Sequence, residues 1–216
     1  VTLDLTSRRL YLCTPDRDDL AVFLEAAISG GVDVVQLRDK QLDARPLIDR
    51  ARLARAVCAD NEVPFVLNDR PDLALEVEAD GVHVGRDDAP CALARRILGP
   101  HAIVGHSTHS ETDLEDALGQ PVDYLSAGPV VPTPTKPGRP GTGLDYLALA
   151  VSRSPWPVFV TGGVRPETVP ELLAVGARHF VVVRYITESA DPEKAARAVR
   201  DAIDSGLDRL GSLPTA

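Results

Sequence analysis

No apolar stretch in the 216 residues approaches the length of a membrane span, which sets a membrane protein aside. The first nine residues, Val1 to Arg9, lack the basic-then-apolar order of a secretory signal. Cysteine is scarce: Cys13, Cys58 and Cys91 are an odd number without metal-ligand spacing, so reduced thiols in a cytoplasmic protein are expected. Cys13 closes the first apolar run and could line a pocket, although a small core hydrophobe is its plainer role. No low-complexity tract or linker divides the chain. With 44% hydrophobic content, one sizeable core is expected and a second domain is not. The charge is short on the positive side. A formal net charge of −9 speaks against nucleic acid or an anionic membrane surface as a partner.

Against these absences stand eight apolar runs. Arg9 to Cys13 opens the series, followed by Val34 to Leu37, Phe65 to Leu67, Val82 to Val84, and Ile103-Val104. Asp123 to Ala127, Val158 to Val160 and Phe180 to Val183 complete it. Short continuous apolar runs read as strands buried on both faces, and hence as parallel strands. Helical patterns separate them. Leu47, Ala51, Ala54 and Cys58 share one face of a helix over about residues 43–60, and Ala195, Ala198, Val199, Ala202 and Ile203 form a stripe near the C-terminus. Pro46, Pro71, Pro90, Pro166 and Pro192 fall near expected helix starts, where a missing N–H costs little. The expected fold is therefore α/β, a single-domain (β/α)8 TIM barrel spanning residues 1–216, with its core over about 9–203 and a frayed tail over 207–216. A doubly wound open sheet is the main competitor. Its dinucleotide-binding version is weakened because no Gly-x-Gly-x-x-Gly follows the first run.

The strand ends carry the chemistry. Arg38, Lys40, Lys136 and Arg184 gather there in an acidic chain, as they would around a strongly anionic ligand. Asp69 and Asp88 face the same end. Carboxylates beside an anion make sense if a hard divalent cation bridges them, and Mg²⁺ on one or two carboxylates plus phosphate oxygens is the usual arrangement. Each aspartate could instead cap the helix that follows it, near Pro71 or Ala89. After the sixth run comes Gly128-Pro129-Val130-Val131-Pro132-Thr133-Pro134-Thr135-Lys136, with Gly138, Gly141 and Gly143 behind it. A proline-stiffened turn with hydroxyls and an ammonium, ending in glycines, reads either as a lid over a phosphorylated ligand or as a plain surface loop.

Several segments together resemble thiamine phosphate synthase. They are Gln36-Leu37-Arg38-Asp39-Lys40, Asn68-Asp69, His83-x-Gly85-x-x-Asp88, Gly105-x-Ser107-x-His109, the loop from Gly128 to Lys136, and Gly162-Gly163. The resemblance covers about residues 9–203. It implies a transferase that joins 4-amino-5-hydroxymethyl-2-methylpyrimidine diphosphate to a thiazole with a phosphoethyl arm, giving thiamine phosphate and pyrophosphate. It implies Mg²⁺ on Asp69 and Asp88. The pyrimidine diphosphate would meet Gln36, Leu37, Arg38, Asp39, Lys40, Asn68, Ser107 and Lys136. The thiazole phosphate would meet Thr133, Pro134, Thr135, Gly163, Val183 and Arg184. Among these, Arg38, Lys40, Ser107 and Lys136 would be catalytic. Small phosphorylated molecules are then the expected partners, with a homo-oligomer possible.

Two positions depart from the family pattern. Arg86 stands where glutamine is usual, and could orient Asp88, bind a diphosphate oxygen or pair with Asp87. Arg184 stands where many relatives have serine, and could grip phosphate bidentately or pair with Glu188. The alternatives to this reading are a thiazole tautomerase using His83, His106 or His109 as a proton shuttle, a barrel that only senses a phosphorylated ligand, and a generic phosphate-binding lyase or epimerase.

Overall fold

A computed structural model of the chain describes residues 4–133 and 140–211. Eight parallel strands close into a barrel in sequence order. They are β1 (Leu10–Thr14), β2 (Val34–Leu37), β3 (Phe65–Asn68), β4 (Gly81–Val84), β5 (Ile103–Thr108), β6 (Tyr124–Ala127), β7 (Val158–Val160) and β8 (His179–Val182). Between and after them run α1 (Leu20–Ser29), α2 (Ala44–Asp60), α3 (Pro71–Glu76), α4 (Cys91–Leu98), α5 (Glu111–Leu118), α6 (Gly143–Arg153), α7 (Val169–Ala174), α8 (Arg184–Thr187) and α9 (Pro192–Gly211). The (β/α)8 expectation is met, and the open sheet is set aside because β1 pairs with β8 as well as with β2.

The strands read as continuous apolar runs because both of their faces are buried. One set of side chains, including Leu10, Leu12, Val35, Leu37, Phe65 and Leu67, packs with the helices. The alternate set, Tyr11, Cys13, Val34, Val66, Ile103, Tyr124, Phe159 and Val181, fills the barrel interior. At the N-terminal end of the strands three aspartates do one repeated job. Asp33 accepts the N–H groups of Arg9 and Leu10 at 2.8 and 2.9 Å. Asp80 accepts that of Phe65 at 2.8 Å, and Asp123 that of Val104 at 2.7 Å. Each precedes an even-numbered strand and satisfies a donor at the start of its odd-numbered neighbour, whose backbone would otherwise be left unpaired there.

Three local expectations need correction. Residues 207–211 are helical rather than frayed: α9 continues to Gly211 because its apolar stripe does, through Val199, Ile203, Gly206, Leu207 and Leu210 against the core. Residues 212–216 lie outside the described residues. Pro166 does not open a helix but sits in the turn before α7, whose early proline is Pro170. Neither Asp69 nor Asp88 caps a helix. Arg70 precedes α3 and Pro90 precedes α4, and no side-chain cap is made at either.

Candidate active site

The C-terminal ends of the strands open on a cavity of about 300 Å³. β2 delivers Gln36 to its floor, and the turn that follows brings Arg38 and Lys40 to its rim. β3 contributes Asn68 and Asp69, the β4 turn Gly85 to Asp88, and β5 Ser107. Leu37 and Asp39 do not line it. The Leu37 side chain faces the helices. Asp39 turns its carboxylate back on its own loop, accepting the N–H groups of Gln41 and Leu42 at 2.8 and 3.0 Å, so its role is to hold Arg38 and Lys40 in place.

Asp69 and Asp88 converge on one ammonium. Lys40 Nζ lies 2.7 Å from Asp69 and 3.8 Å from Asp88. Asp69 adopts a left-handed backbone, φ +63°, a conformation that costs free energy in a residue with a side chain. Asp88 Oδ2 accepts the Gly85 N–H at 2.9 Å, which closes the β4 turn and aims the other oxygen into the cavity. Burial, then the Asp88 carboxylate beside it, pushes the Asp69 carboxyl above its ordinary range. Burial opposes ionisation of Asp88 too, but the hydrogen bond shared with Asp69, the Gly85 N–H and Lys40 carry it below that range. Two carboxylates close enough to share a proton, with open access to the cavity, suit a divalent cation that takes the remaining ligands from water and phosphate oxygens. Among the described residues no group of three or more His, Cys, Asp or Glu gathers as a metal cluster, so an all-protein cage is not what this pair offers.

Among the described residues the ion pair found for Arg86 is not with Asp87 or Asp88, and its side chain lines the cavity. Its guanidinium reaches Asp113 at 3.1 Å, a buried carboxylate in the first turn of α5 that also accepts the His109 N–H at 3.0 Å. A buried acid is the stronger attractor for an exposed arginine than a neighbouring surface carboxylate. Of the three histidines weighed as proton shuttles, His83 and His109 line the cavity, while His106 hydrogen-bonds the Val84 carbonyl at 3.2 Å and borders a neighbouring cleft behind Gly85, Arg86 and Asp88.

Sequence reasoning named Gln36, His83 and Ser107 on the cavity floor but missed the two tyrosines between them. Tyr11, Tyr124 and His83 form a buried hydrogen-bonded chain between Gln36 and Ser107. Gln36 Nε2 donates to Tyr11 Oη at 2.8 Å, Tyr11 and Tyr124 hydroxyls are 2.9 Å apart, and Tyr124 Oη lies 2.8 Å from His83 Nδ1. His83 Nε2 is 2.8 Å from Ser107 Oγ, and the Cys13 thiol donates to Gln36 Oε1 at 3.3 Å. For the two tyrosines the signal was their place on apolar runs at inward-facing positions, which is also how core aromatics look.

A second cavity, about 260 Å³, adjoins the first and shares Thr161, Val181 and Val183 with it. Thr133, Gly163, Arg184 and Glu188 line it. Gly162 and Gly163 have φ of +92° and +77°, and a Cβ on Gly162 would overlap Pro129 and Val130, so this turn needs glycine. Among the described residues no ion pair joins Arg184 to Glu188. Pro134, Thr135 and Lys136 lie outside the described residues, as does the middle of the expected lid, 134–139.

A family model described as thiamine monophosphate synthase matches residues 10–186. The thiamine-phosphate synthase of Thermobifida fusca (strain YX) is 46% identical over 201 residues, 91% of this chain and 92% of the relative. That of Mycobacterium sp. (strain JLS) is 42% identical over 216 residues, 93% of this chain and 95% of the relative. A solved thiamine phosphate pyrophosphorylase from Pyrococcus furiosus superposes with a TM-score of 0.84 at 30% identity, over 92% of this chain and 96% of that one.

Proposed function

The chain belongs to the thiamine monophosphate synthase family, and from that premise we propose that it makes thiamine phosphate from two phosphorylated rings. One is 4-amino-5-hydroxymethyl-2-methylpyrimidine diphosphate, the other the phosphoethyl thiazole, and pyrophosphate is the second product. The observation that carries this reading is the pair of adjoining cavities with a common wall of Thr161, Val181 and Val183. A site for two ligands that must react with each other needs that arrangement, because bringing reactants together supplies much of the rate.

The floor of the first cavity suits the pyrimidine. Gln36 presents both a donor and an acceptor, which matches the edge of an aminopyrimidine. Arg38 and Lys40 on its rim suit the diphosphate. Asp69 and Asp88 would hold Mg²⁺, whose charge, when bound, supplies electrostatic stabilisation to a departing diphosphate. In the second cavity the Gly163 turn, Thr133, Val183 and Arg184 would hold the thiazole phosphate, and the reading gives Pro134 and Thr135 to the same phosphate and Lys136 to the diphosphate.

Cleavage of the pyrimidine methylene carbon–oxygen bond leaves a cation on the methylene and negative charge on the diphosphate. Arg38, Lys40 and Lys136 stabilise that developing charge, and preorganised charges of this kind are usually the largest catalytic term. The thiazole nitrogen then captures the methylene. No enzyme nucleophile is needed; the walls orient the two rings and exclude water, which would otherwise capture the cation. A coupled assay with both substrates, with and without Mg²⁺, tests the reading. Thiamine phosphate formed only when both substrates and the cation are present is the expected result. Full activity after exhaustive chelation would remove the metal from it, and no product under any condition would remove the reaction.

A further inference from the structure

With Gln36 Nε2 as the donor at one end, giving every enclosed hydroxyl an acceptor sets one direction along the buried chain on the cavity floor. The Tyr11 and Tyr124 hydroxyls are fully enclosed, and burial holds both phenols above their ordinary pKa, so each oxygen carries one proton. Tyr11 Oη already receives a proton from Gln36 Nε2. Its own proton goes to its other partner, Tyr124. Tyr124 Oη, having accepted, must donate onward to His83 Nδ1. That nitrogen is then the bare one of a neutral imidazole, and the ring proton sits on Nε2, where it is given to Ser107 Oγ. Ser107 accepts from within and has one proton left, on the side of the cavity it lines. At the other end the Cys13 thiol donates to Gln36 Oε1 at 3.3 Å, in keeping with the same amide orientation.

We propose that Tyr11, Tyr124 and His83 are positioning residues, forming a one-way hydrogen-bond relay that presents Ser107 to the substrate as an obligatory donor and holds the Gln36 amide in a single orientation. The inference rests on the reading of this cavity as the aminopyrimidine site. A 4-aminopyrimidine has two acceptor ring nitrogens and one donor amine, and the relay offers it donors at both ends of the floor with one acceptor at Gln36. A ring with a carbonyl oxygen in place of the amine would face Gln36 Oε1 acceptor to acceptor, so the relay also selects against oxo-pyrimidines. The barrel is shaped to hold the relay: Gly105 on β5 has no side chain because a Cβ there would overlap the Tyr124 phenol. The Tyr124 ring is further braced edge-on by Phe159, with centroids 5.2 Å apart, and stacked on His83 at 5.5 Å.

Nitrogen-15 NMR of histidine-labelled full-length protein, with the His83 signals identified by their loss in His83→Gln, reads the tautomer without any substrate. An unprotonated Nδ1 and a protonated Nε2 are expected; a protonated Nδ1 would overturn the relay. Steady-state kinetics supply the second arm. Tyr124→Phe keeps the ring and removes the link, so the KM for the pyrimidine diphosphate should rise about tenfold, the scale of one hydrogen bond, with the KM for the thiazole phosphate unchanged. Added to Ser107→Ala, the same change should cost clearly less than it costs the wild type, since the part that acts through Ser107 is already gone. Equal increases in both KM values, or full additivity with Ser107→Ala, would reduce Tyr124 to a packing residue. A wild type that makes no thiamine phosphate would instead sink the proposed reaction while the tautomer still decided the relay.

Discussion

Arg184 is one of the two positions where the sequence departs from the family pattern it resembles, and its place in the second cavity with the Gly162-Gly163 turn makes a definite expectation. The glycines offer a phosphate backbone dipoles alone, whereas a guanidinium adds full charge and a bidentate geometry. Arg184→Ala should therefore raise the KM for the thiazole phosphate by roughly 10- to 100-fold, the range of about 1.5–3 kcal/mol for a hydrogen bond to a charged group, with a smaller change in kcat. Initial rates at varied concentrations of each substrate check it, and an unchanged KM for the thiazole phosphate would dismiss the assignment. His179 sits at the opposite, N-terminal end of the barrel, where its Nδ1 donates to the Arg8 carbonyl at 2.6 Å. Burial lowers its pKa below the ordinary value. The unfolded chain, with an ordinary histidine near 6.5, thus takes up the proton first as the pH falls. Stability from this group is fully present above about pH 6.5 and declines as the pH drops toward the folded-state pKa. His179→Asn, which keeps a donor and removes the titration, should flatten the difference in Tm between about pH 5 and pH 7. A variant with the same pH dependence as the wild type would show that other groups set it.

At the scale of elements, β5 and β6 illustrate how a strand can be read correctly and its purpose missed. Gly105 was visible as part of a motif, Gly-x-Ser-x-His, but motif membership does not say what the glycine is for. The barrel register sets Gly105 directly beside Tyr124, and the missing Cβ leaves room for the phenol. Gly105→Ala should destabilise by about 1–3 kcal/mol, as overpacking of a tight core does, and lower activity besides. Gly119→Ala is the control, since the nearest atom to a Cβ there is an ordinary 3.8 Å away. Equal melting temperatures for the two variants would refute the packing argument. The helices were legible for a different reason. A stripe such as Leu47, Ala51, Ala54 and Cys58 reports one buried face wherever the helix packs, and all four are buried in α2. The extent of a helix is less legible: α9 runs on to Gly211, with Leu207 and Leu210 still packed against the core.

The candidate site draws its lining from the ends of several strands of one closed barrel, so ligand binding there should be felt in global stability. Mg²⁺ together with inorganic pyrophosphate, at a hundredfold excess over its Kd, should add about 2.7 kcal/mol, or several degrees of Tm for a domain of this size. Asp69→Gly should abolish the shift while leaving the unliganded Tm near that of the wild type. Glycine accepts the left-handed backbone that Asp69 is made to adopt, which offsets the lost contact with Lys40. Thermal scans of both proteins with and without Mg²⁺ and pyrophosphate decide the matter, and an equal shift in the variant would remove Asp69 from the metal site. The sequence by itself determined the barrel, because eight doubly buried strands alternating with one-faced helices have few ways to hide their apolar surface. It also determined the chemistry of the rim, because cations and carboxylates that recur just after apolar runs must emerge at one end of parallel strands. What only the tertiary structure decided is who meets whom across the barrel. Lys40 reaches between Asp69 and Asp88, Arg86 turns to Asp113, and Tyr11 and Tyr124 join Gln36 to Ser107. Those partners lie 25 to 113 residues apart in the case of the two tyrosine links. They are brought together by the register and closure of the sheet, which no local pattern of side chains encodes.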